Sequence, residues 1–154
     1  MATFKTTTDI HNPVFKEAAH IRSLVFVQEQ GFEENKEADD IERGYEHIHV
    51  VGYIDDHPLT TARLLPTKDG QTYLIERVAT VEEGRGQGLG EELFHFIESF
   101  ARERGIQELV LDAQDAALIF YEKLGYTIAS PGFFEYGRPH HTMHKILRED
   151  PTNA

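Results

Sequence analysis

The sequence predicts an α/β protein built on a mixed sheet, and three observations carry that assignment. Three strand-like runs follow one another between about residue 46 and residue 81 with only turn residues between them. A strand, a long amphipathic helix and another strand then alternate up to residue 113. An earlier run with helical spacing precedes both. Strands first and strand–helix–strand afterwards give a mixed sheet with helices against it.

Taken in order, Thr3 to Thr8 alternates like a short strand. Asn12-Pro13 supplies an N-cap and a proline at the first helical position. Val14, Ala18, Ile21, Val25 and Phe26 recur at helical spacing, so a helix is expected to about Gln30, closed by Gly31. Residues 31 to 44 carry Glu33, Glu34, Glu37, Asp39, Asp40 and Glu42, an acidic loop or short helix. Strands are expected at 46–54 and 59–65, joined through Asp55-Asp56-His57-Pro58, and a Lys68-Asp69-Gly70 turn leads to a third from Gln71 to Val81. The next helix runs from about Gly88 to Arg104 with Leu89, Leu93, Phe96, Ile97 and Phe100 as its buried stripe, and Gly105 caps it. A strand at 108–113, a helix at 116–124 capped by Gly125, a short strand near Thr127, a loop with Pro131-Gly132 and a strand from His140 to Leu147 complete the chain. No repeat or linker interrupts it, so residues 1–154 read as one domain.

Composition narrows the function classes. Hydrophobic content of 40% and charged content of 27% suit a globular protein with one substantial core. No apolar run reaches the length of a membrane span and the N-terminus lacks a signal-peptide core, so a cytoplasmic protein with no membrane partner is expected. With no cysteine there is no disulfide, thiolate nucleophile or thiolate metal site. A net charge of −12 speaks against nucleic acid, whose affinity rests on a basic footprint, and favours a cationic substrate.

The most informative segment is Arg85-Gly86-Gln87-Gly88-Leu89-Gly90, between a strand and the long helix. Glycines let the backbone approach a ligand, and the helix start directs free N–H groups and its positive dipole end toward an anion, most often phosphate. The dinucleotide pattern would need glycine at 89 or 91, which are Leu89 and Glu91, and a Gly-Lys-Ser/Thr loop occurs nowhere. That spacing excludes a nucleotide-dependent oxidoreductase. Arg/Gln-x-x-Gly-x-Gly/Ala does fit, as Arg85, Gly88 and Gly90. It resembles the pyrophosphate loop of the GNAT superfamily of acyl-CoA-dependent N-acetyltransferases. Leu109 to Gln114 followed by Ala117 to Tyr126, with its Phe-Tyr-x-x-x-Gly-Tyr ending, resembles the second signature of that superfamily. The two blocks with the preceding strand span about 73 to 126 in matching order.

The resemblance implies the GNAT fold, a mixed and mostly antiparallel central sheet flanked by helices, with acetyl-CoA as cosubstrate and a small-molecule amine as acceptor. It also admits a homodimer. It implies that Arg85, Gly86, Gln87, Gly88, Leu89 and Gly90 hold the pyrophosphate. The backbone at Val78, Ala79 and Thr80 would run along the pantetheine arm, with Val78 N–H as oxyanion donor. Tyr121 occupies the position of the family's general acid toward the thiolate, beside Phe120. Gln114 stands where many relatives carry a coenzyme-contacting Asn, and Lys123 is placed to reach a phosphate. Glu76 shares a strand face with Val78 and Thr80 and is the candidate base, its bland alternative being an ion pair with a neighbouring arginine. Family members differ at this residue, so the resemblance leaves the base open.

Nine histidines invite a metal reading, but no carboxylate or cysteine stands at a zincin-like spacing, and no metal is expected. The segment Arg22-x-x-Val-Phe-x-x-Glu-Gln and the tail from Phe134 to Lys145 resemble the ElaA-like branch of the superfamily. In that branch both border the acceptor pocket, which makes Glu29, His47, Glu135 and His140 candidate substrate contacts. The competing class is a non-catalytic acyl-CoA-binding sensor, which would not need Tyr121 and Glu76.

Overall fold

The computed structural model describes residues 2–31 and 47–147. They fall into two compact units, Met1–Leu65 with Glu76–Phe96 and Pro66–Ile75 with Ile97–Ala154. The acidic stretch from Glu33 to Glu42 lies outside the described residues.

In the first unit, strands β1 (Thr3–Thr7), β2 (Ile48–Ile54), β3 (His57–Pro66) and the later part of β4 (Thr72–Thr80) lie in that order. Asn12 caps helix α1 (Pro13–Arg22), its Oδ1 accepting from Val14 N–H at 2.8 Å. The helix does not continue as α to Gln30, as its spacing suggested. From Ser23 to Glu29 it widens to a π-helix, marked by the bond from Gln30 N–H to Val25 O at 3.1 Å. Gly31 closes it with φ 79°, as expected of a C-terminal glycine. The β2–β3 connection is shorter than the sequence suggested. Ile54 and His57 already pair, and Asp55 and Asp56 turn the chain with φ 51° and 66°. Such a two-residue turn of positive φ matches the twist of a hairpin, and Asp tolerates it better than most side chains.

The core of this unit joins Val14, Ala18, Ile21 and Val25 of the helix to Val51 and Tyr53 of β2 and to Ala79 and Val81. One correction concerns the long helix α2 (Leu89–Glu103): Phe94 is fully buried, whereas Phe96 is half-buried and stacks on Phe4 of β1 at 5.0 Å. The buried stripe is wider than the five residues chosen from spacing alone.

In the second unit the start of β4 is followed in order by β5 (Glu108–Gln114), β8 (Arg138–Ile146) and β6 (Thr127–Ile128), and β7 (Phe133–Glu135) also pairs with β8. Strands β4 and β5 run parallel over Thr72–Ile75 and Glu108–Leu111. The pairs β1–β2, β2–β3, β5–β8, β6–β8 and β7–β8 are antiparallel, so the sheet is mixed and mostly antiparallel. The β7–β8 hairpin was not foreseen. Tyr136 and Gly137, with φ 53° and 75°, form its turn where the sequence suggested only a loop. Residues 115–117 form a 3₁₀ turn, so helix α3 covers only Leu118–Lys123.

Lys145 fastens the end of α3. Its Nζ donates to Leu124 O at 2.8 Å and to Glu98 Oε1 at 2.7 Å. Burial pushes the Glu98 carboxyl up, but the bonds from Lys145 and Arg102 outweigh it and hold it below its ordinary value. Gly125 has φ 98°, and a Cβ there would sit 3.1 Å from the Lys145 stem. A helix C-cap therefore doubles as clearance for the lysine that caps it.

Gly52 offers a test of the packing in the first unit. A Cβ at this position would lie 2.5 Å from Phe4 Cε2 and 2.7 Å from Thr60 Cγ2. Gly52→Ala is expected to destabilise the protein by about 1–3 kcal/mol through overpacking, read as a lower urea midpoint with unchanged slope.

Candidate active site

The glycine segment follows a 3₁₀ turn, Glu82–Gly84, and runs into α2. Gly86 and Gly88 hold φ of 79° and 75°, and a Cβ at either would meet nothing within 4 Å. Glycine is required there by backbone conformation rather than by crowding. Gly84 is different: a Cβ there would stand 3.0 Å from Leu59 Cβ and 3.2 Å from Leu89 Cδ2. Leu89 itself is buried and anchors the helix start. Glu92 N–H bonds to Gly88 O at 3.1 Å, which leaves the amides of Leu89, Gly90 and Glu91 in the unpaired first turn.

Arg85 is half-exposed, with Nε donating to Thr80 O at 2.9 Å and Nη2 to Glu29 Oε1 at 2.7 Å. Glu29 ends the π-helix, so the segment expected to border the acceptor pocket is tied directly to the arginine of the glycine segment. Gln87 is exposed and donates from its side chain to Glu83 O.

Strand β4 enters this region with a kink. Arg77 has φ 54°, an αL conformation that non-glycine residues seldom adopt. The ladder to β5 has already ended at Ile75. Glu76, Val78 and Thr80 are half-buried, whereas the Ala79 side chain is in the core and its carbonyl accepts from Thr60 Oγ1 at 3.0 Å. Thr60 and Thr80 hydroxyls bond to each other at 2.8 Å.

Behind Glu76 lies a buried polar cluster. Arg63 Nε and Nη2 both donate to Glu76 Oε1, at 3.1 and 2.9 Å. His47 Nε2 stands 3.8 Å from the same oxygen. The His47 and His49 rings meet edge to face at 6.1 Å, and Arg22 Nη1 is 3.5 Å from His49 Nδ1. Arg22, His47 and His49 are no more than 1% exposed and Arg63 is 4% exposed, while Glu76 opens to solvent at 36%. His47, expected from the sequence to border the acceptor, is thus enclosed, with Glu76 Oε1 3.8 Å from its Nε2. Burial pushes the Arg63 guanidinium down, against the pull of Glu76. Burial, then Arg22 and His47, push His49 down to about 3. His49 is therefore neutral at neutral pH.

In the second unit, Tyr121 on α3 is buried, with its ring edge-on to Phe120 at 5.1 Å and to Tyr126 at 5.9 Å. Burial raises its phenol well above the ordinary value and holds it protonated. Gln114 closes β5 and faces His140 of β8 in register. His140 is buried, stacks on Phe133 at 5.7 Å, and its Nδ1 donates to Arg138 O at 2.7 Å, which leaves Nε2 as the basic nitrogen. Lys123 and Glu135 are exposed, one ending α3 and the other ending β7.

Sequence reasoning allowed Glu76 an arginine partner but did not name Arg63, and it gave Arg22 and His49 no part beside it. The available signal was a charge in the middle of an apolar run: Arg63 sits between Ala62 and Leu64, both fully buried. A cation in such a strand implies a carboxylate within reach.

The sequence profile of the Acetyltransferase (GNAT) family matches residues 11–126. The chain is 35% identical over 131 residues to the uncharacterized N-acetyltransferase YjcF of Bacillus subtilis (strain 168), covering 84% of this chain and 91% of that one. Its fold is similar to that of a Lactobacillus plantarum protein assigned as an N-acetyltransferase, with a TM-score of 0.84, 31% identity, and coverage of 96% and 99%. Escherichia coli ElaA shares the fold at a TM-score of 0.77 and 23% identity, with 94% and 99% covered.

The His49 environment makes the fold sensitive to acid. Its folded value lies near 3 and its ordinary value near 6.5, so between those limits the unfolded chain binds a proton that the folded chain refuses. The His49 contribution to stability is complete above pH about 6.5 and is lost below it, by up to about 1.4 kcal/mol per pH unit. Urea titrations at pH 7.5 and 5.0 are expected to show wild type losing about 2 kcal/mol more than His49→Gln.

Proposed function

The chain belongs to the acetyltransferase (GNAT) family and is an acetyl-CoA-dependent N-acetyltransferase, and from that premise we propose that its acceptor is the primary amine of a small cationic molecule. The observation that carries the coenzyme site is the turn before α2, with Gly86 and Gly88 in left-handed conformation ahead of first-turn amides. Such a cradle suits a pyrophosphate, because a backbone without Cβ atoms exposes N–H groups to the anion. Arg85 adds a cation, exchanging its bond with Glu29 for one to phosphate.

The thioester supplies an activated acetyl group; the protein residues manage position and protons. The kinked end of β4 offers backbone groups at Val78 and Thr80 to pair with the pantetheine amides, and Val78 N–H donates to the developing oxyanion. Glu76 takes the proton of the acceptor ammonium so that nitrogen can attack the carbonyl carbon. As the carbon–sulfur bond breaks, the Tyr121 hydroxyl donates its proton to the sulfur. Burial keeps that proton on Tyr121 until then, and the same dry surroundings raise the proton affinity of a thiolate. Gln114 and Lys123 make coenzyme contacts, and His140 and Glu135 face the acceptor.

The charge of −12 supports a cationic acceptor, since such a field raises the local concentration of cations. Thiol release from acetyl-CoA, measured across polyamines, amino sugars, amino acids and lysine peptides, tests this. Cationic acceptors should be preferred, with kcat/KM falling as salt rises; preference for neutral or anionic amines overturns the reading. In the same assay Gly88→Val, forced into a conformation that costs about 1–2 kcal/mol for a residue with a Cβ, should stay folded. Calorimetry should show its coenzyme affinity reduced at least about tenfold, through a distorted loop.

Tyr121→Phe preserves the packing against Phe120 and Tyr126 and removes only the proton donor. The expected loss is about 10²–10⁴-fold in kcat with coenzyme affinity nearly unchanged, measured by steady-state kinetics and calorimetry.

A further inference from the structure

We propose that Arg63 is a positioning residue for proton transfer: it clamps one oxygen of Glu76 so that the other, Oε2, is presented to the acceptor ammonium. The inference rests on the reading of Glu76 as proton acceptor.

A guanidinium fork opposite a carboxylate commonly binds both oxygens, one nitrogen to each. Here both Arg63 donors converge on Oε1, at 3.1 and 2.9 Å. His47 Nε2 approaches the same atom at 3.8 Å. Among the described residues no hydrogen bond reaches Oε2. The side chain is 36% exposed, so the open oxygen belongs to a carboxylate that solvent and a ligand can reach. The clamp is rigid because Arg63 is 4% exposed in the middle of β3, where neighbours on both sides are fully buried.

Among the described residues, the groups around the carboxylate leave it as the base of the cluster. Arg63 faces it from β3, His47 from the residue before β2, and Arg77 follows it on β4. Farther back, His49 of β2 is neutral and Arg22 of α1 lies against it. The named cations cannot accept a proton. His47 is enclosed, so a proton from outside meets Glu76 first.

The competing account is a staple between β3 and β4 with no part in the reaction. A double-mutant cycle on turnover separates the two, using Arg63→Met, Arg63→Lys and Glu76→Gln, with each Arg63 variant also combined with Glu76→Gln, and every protein checked for folding by circular dichroism. Positioning predicts that Arg63→Met lowers kcat about 10- to 100-fold while both KM values stay within about threefold, because a misplaced reacting group costs rate rather than binding. It predicts partial rescue in Arg63→Lys, which retains the charge but not the two-point grip. In the Glu76→Gln background, Arg63→Met should add less than about twofold. An equal loss in both backgrounds, or no advantage of Lys over Met, assigns Arg63 to structure and overturns the proposal. If Arg63→Met does not fold, the Arg63→Lys comparison in the two backgrounds decides by the same criterion. Unchanged kcat in Glu76→Gln removes Glu76 as base and the proposal with it. A loss in Glu76→Gln with none in Arg63→Met removes the proposal alone.

Discussion

Taking a guanidinium out of water costs several kcal/mol unless its donors are met, and the first unit encloses two, Arg22 and Arg63. That cost organises what surrounds them. In the middle of β3, two donors of Arg63 are met by Glu76 of β4, so this pairing resists a register slip that would turn every side chain to the opposite face. Arg22 of α1 lies against β2, its Nη1 3.5 Å from His49 Nδ1, and Phe15 is edge-on to the same imidazole at 4.8 Å. Burial first, then Arg22 and His47, keep His49 neutral, and among the described residues Glu76 is the carboxylate of the cluster that opens to solvent.

Downstream of that pair, the path of β4 decides what the backbone can offer. The ladder to β5 covers Thr72–Ile75, and two residues later Arg77 enters the left-handed region. A bend there re-aims the chain before it reaches the glycine turn, and strand irregularities of this kind recur beside functional sites. The Thr60–Thr80 hydroxyl pair and the bond from Val81 N–H to Leu59 O hold the far side of the bend. The glycine turn is therefore supported at its base by Gly84 packing and left open at Gly86 and Gly88.

The second unit solves a different problem, that of a short helix with little hydrogen bonding of its own. Helix α3 has six residues, too few to be stable by propensity. Lys145 satisfies Leu124 O at its end, Glu98 fixes that lysine, and Tyr126 N–H returns to Tyr121 O at 3.1 Å across Gly125. The buried Tyr121 and Tyr126 rings supply the apolar contact beneath. Tyr121 is kept buried by this arrangement, and burial holds its proton.

The sequence by itself determined the features whose causes are local. The Asn12-Pro13 helix start, the strand alternation, the helix-closing glycines and the Arg85–Gly90 turn were legible because capping, periodicity and left-handed glycine depend on neighbours a few residues away. Family membership was legible for the same reason, since two short motifs at a set spacing carry it. The turn at Asp55-Asp56 was placed but drawn two residues too long, and the Tyr136-Gly137 hairpin was missed, as tyrosine signals positive φ only weakly. Tertiary structure alone decided the rest: that Ser23–Glu29 widens into a π-helix whose last residue bonds to Arg85, that His47 is enclosed, and that Arg63 rather than another arginine meets Glu76. Those outcomes join residues 13 to 56 positions apart. Burial and ion pairing act through space, and no window of neighbouring residues contains them.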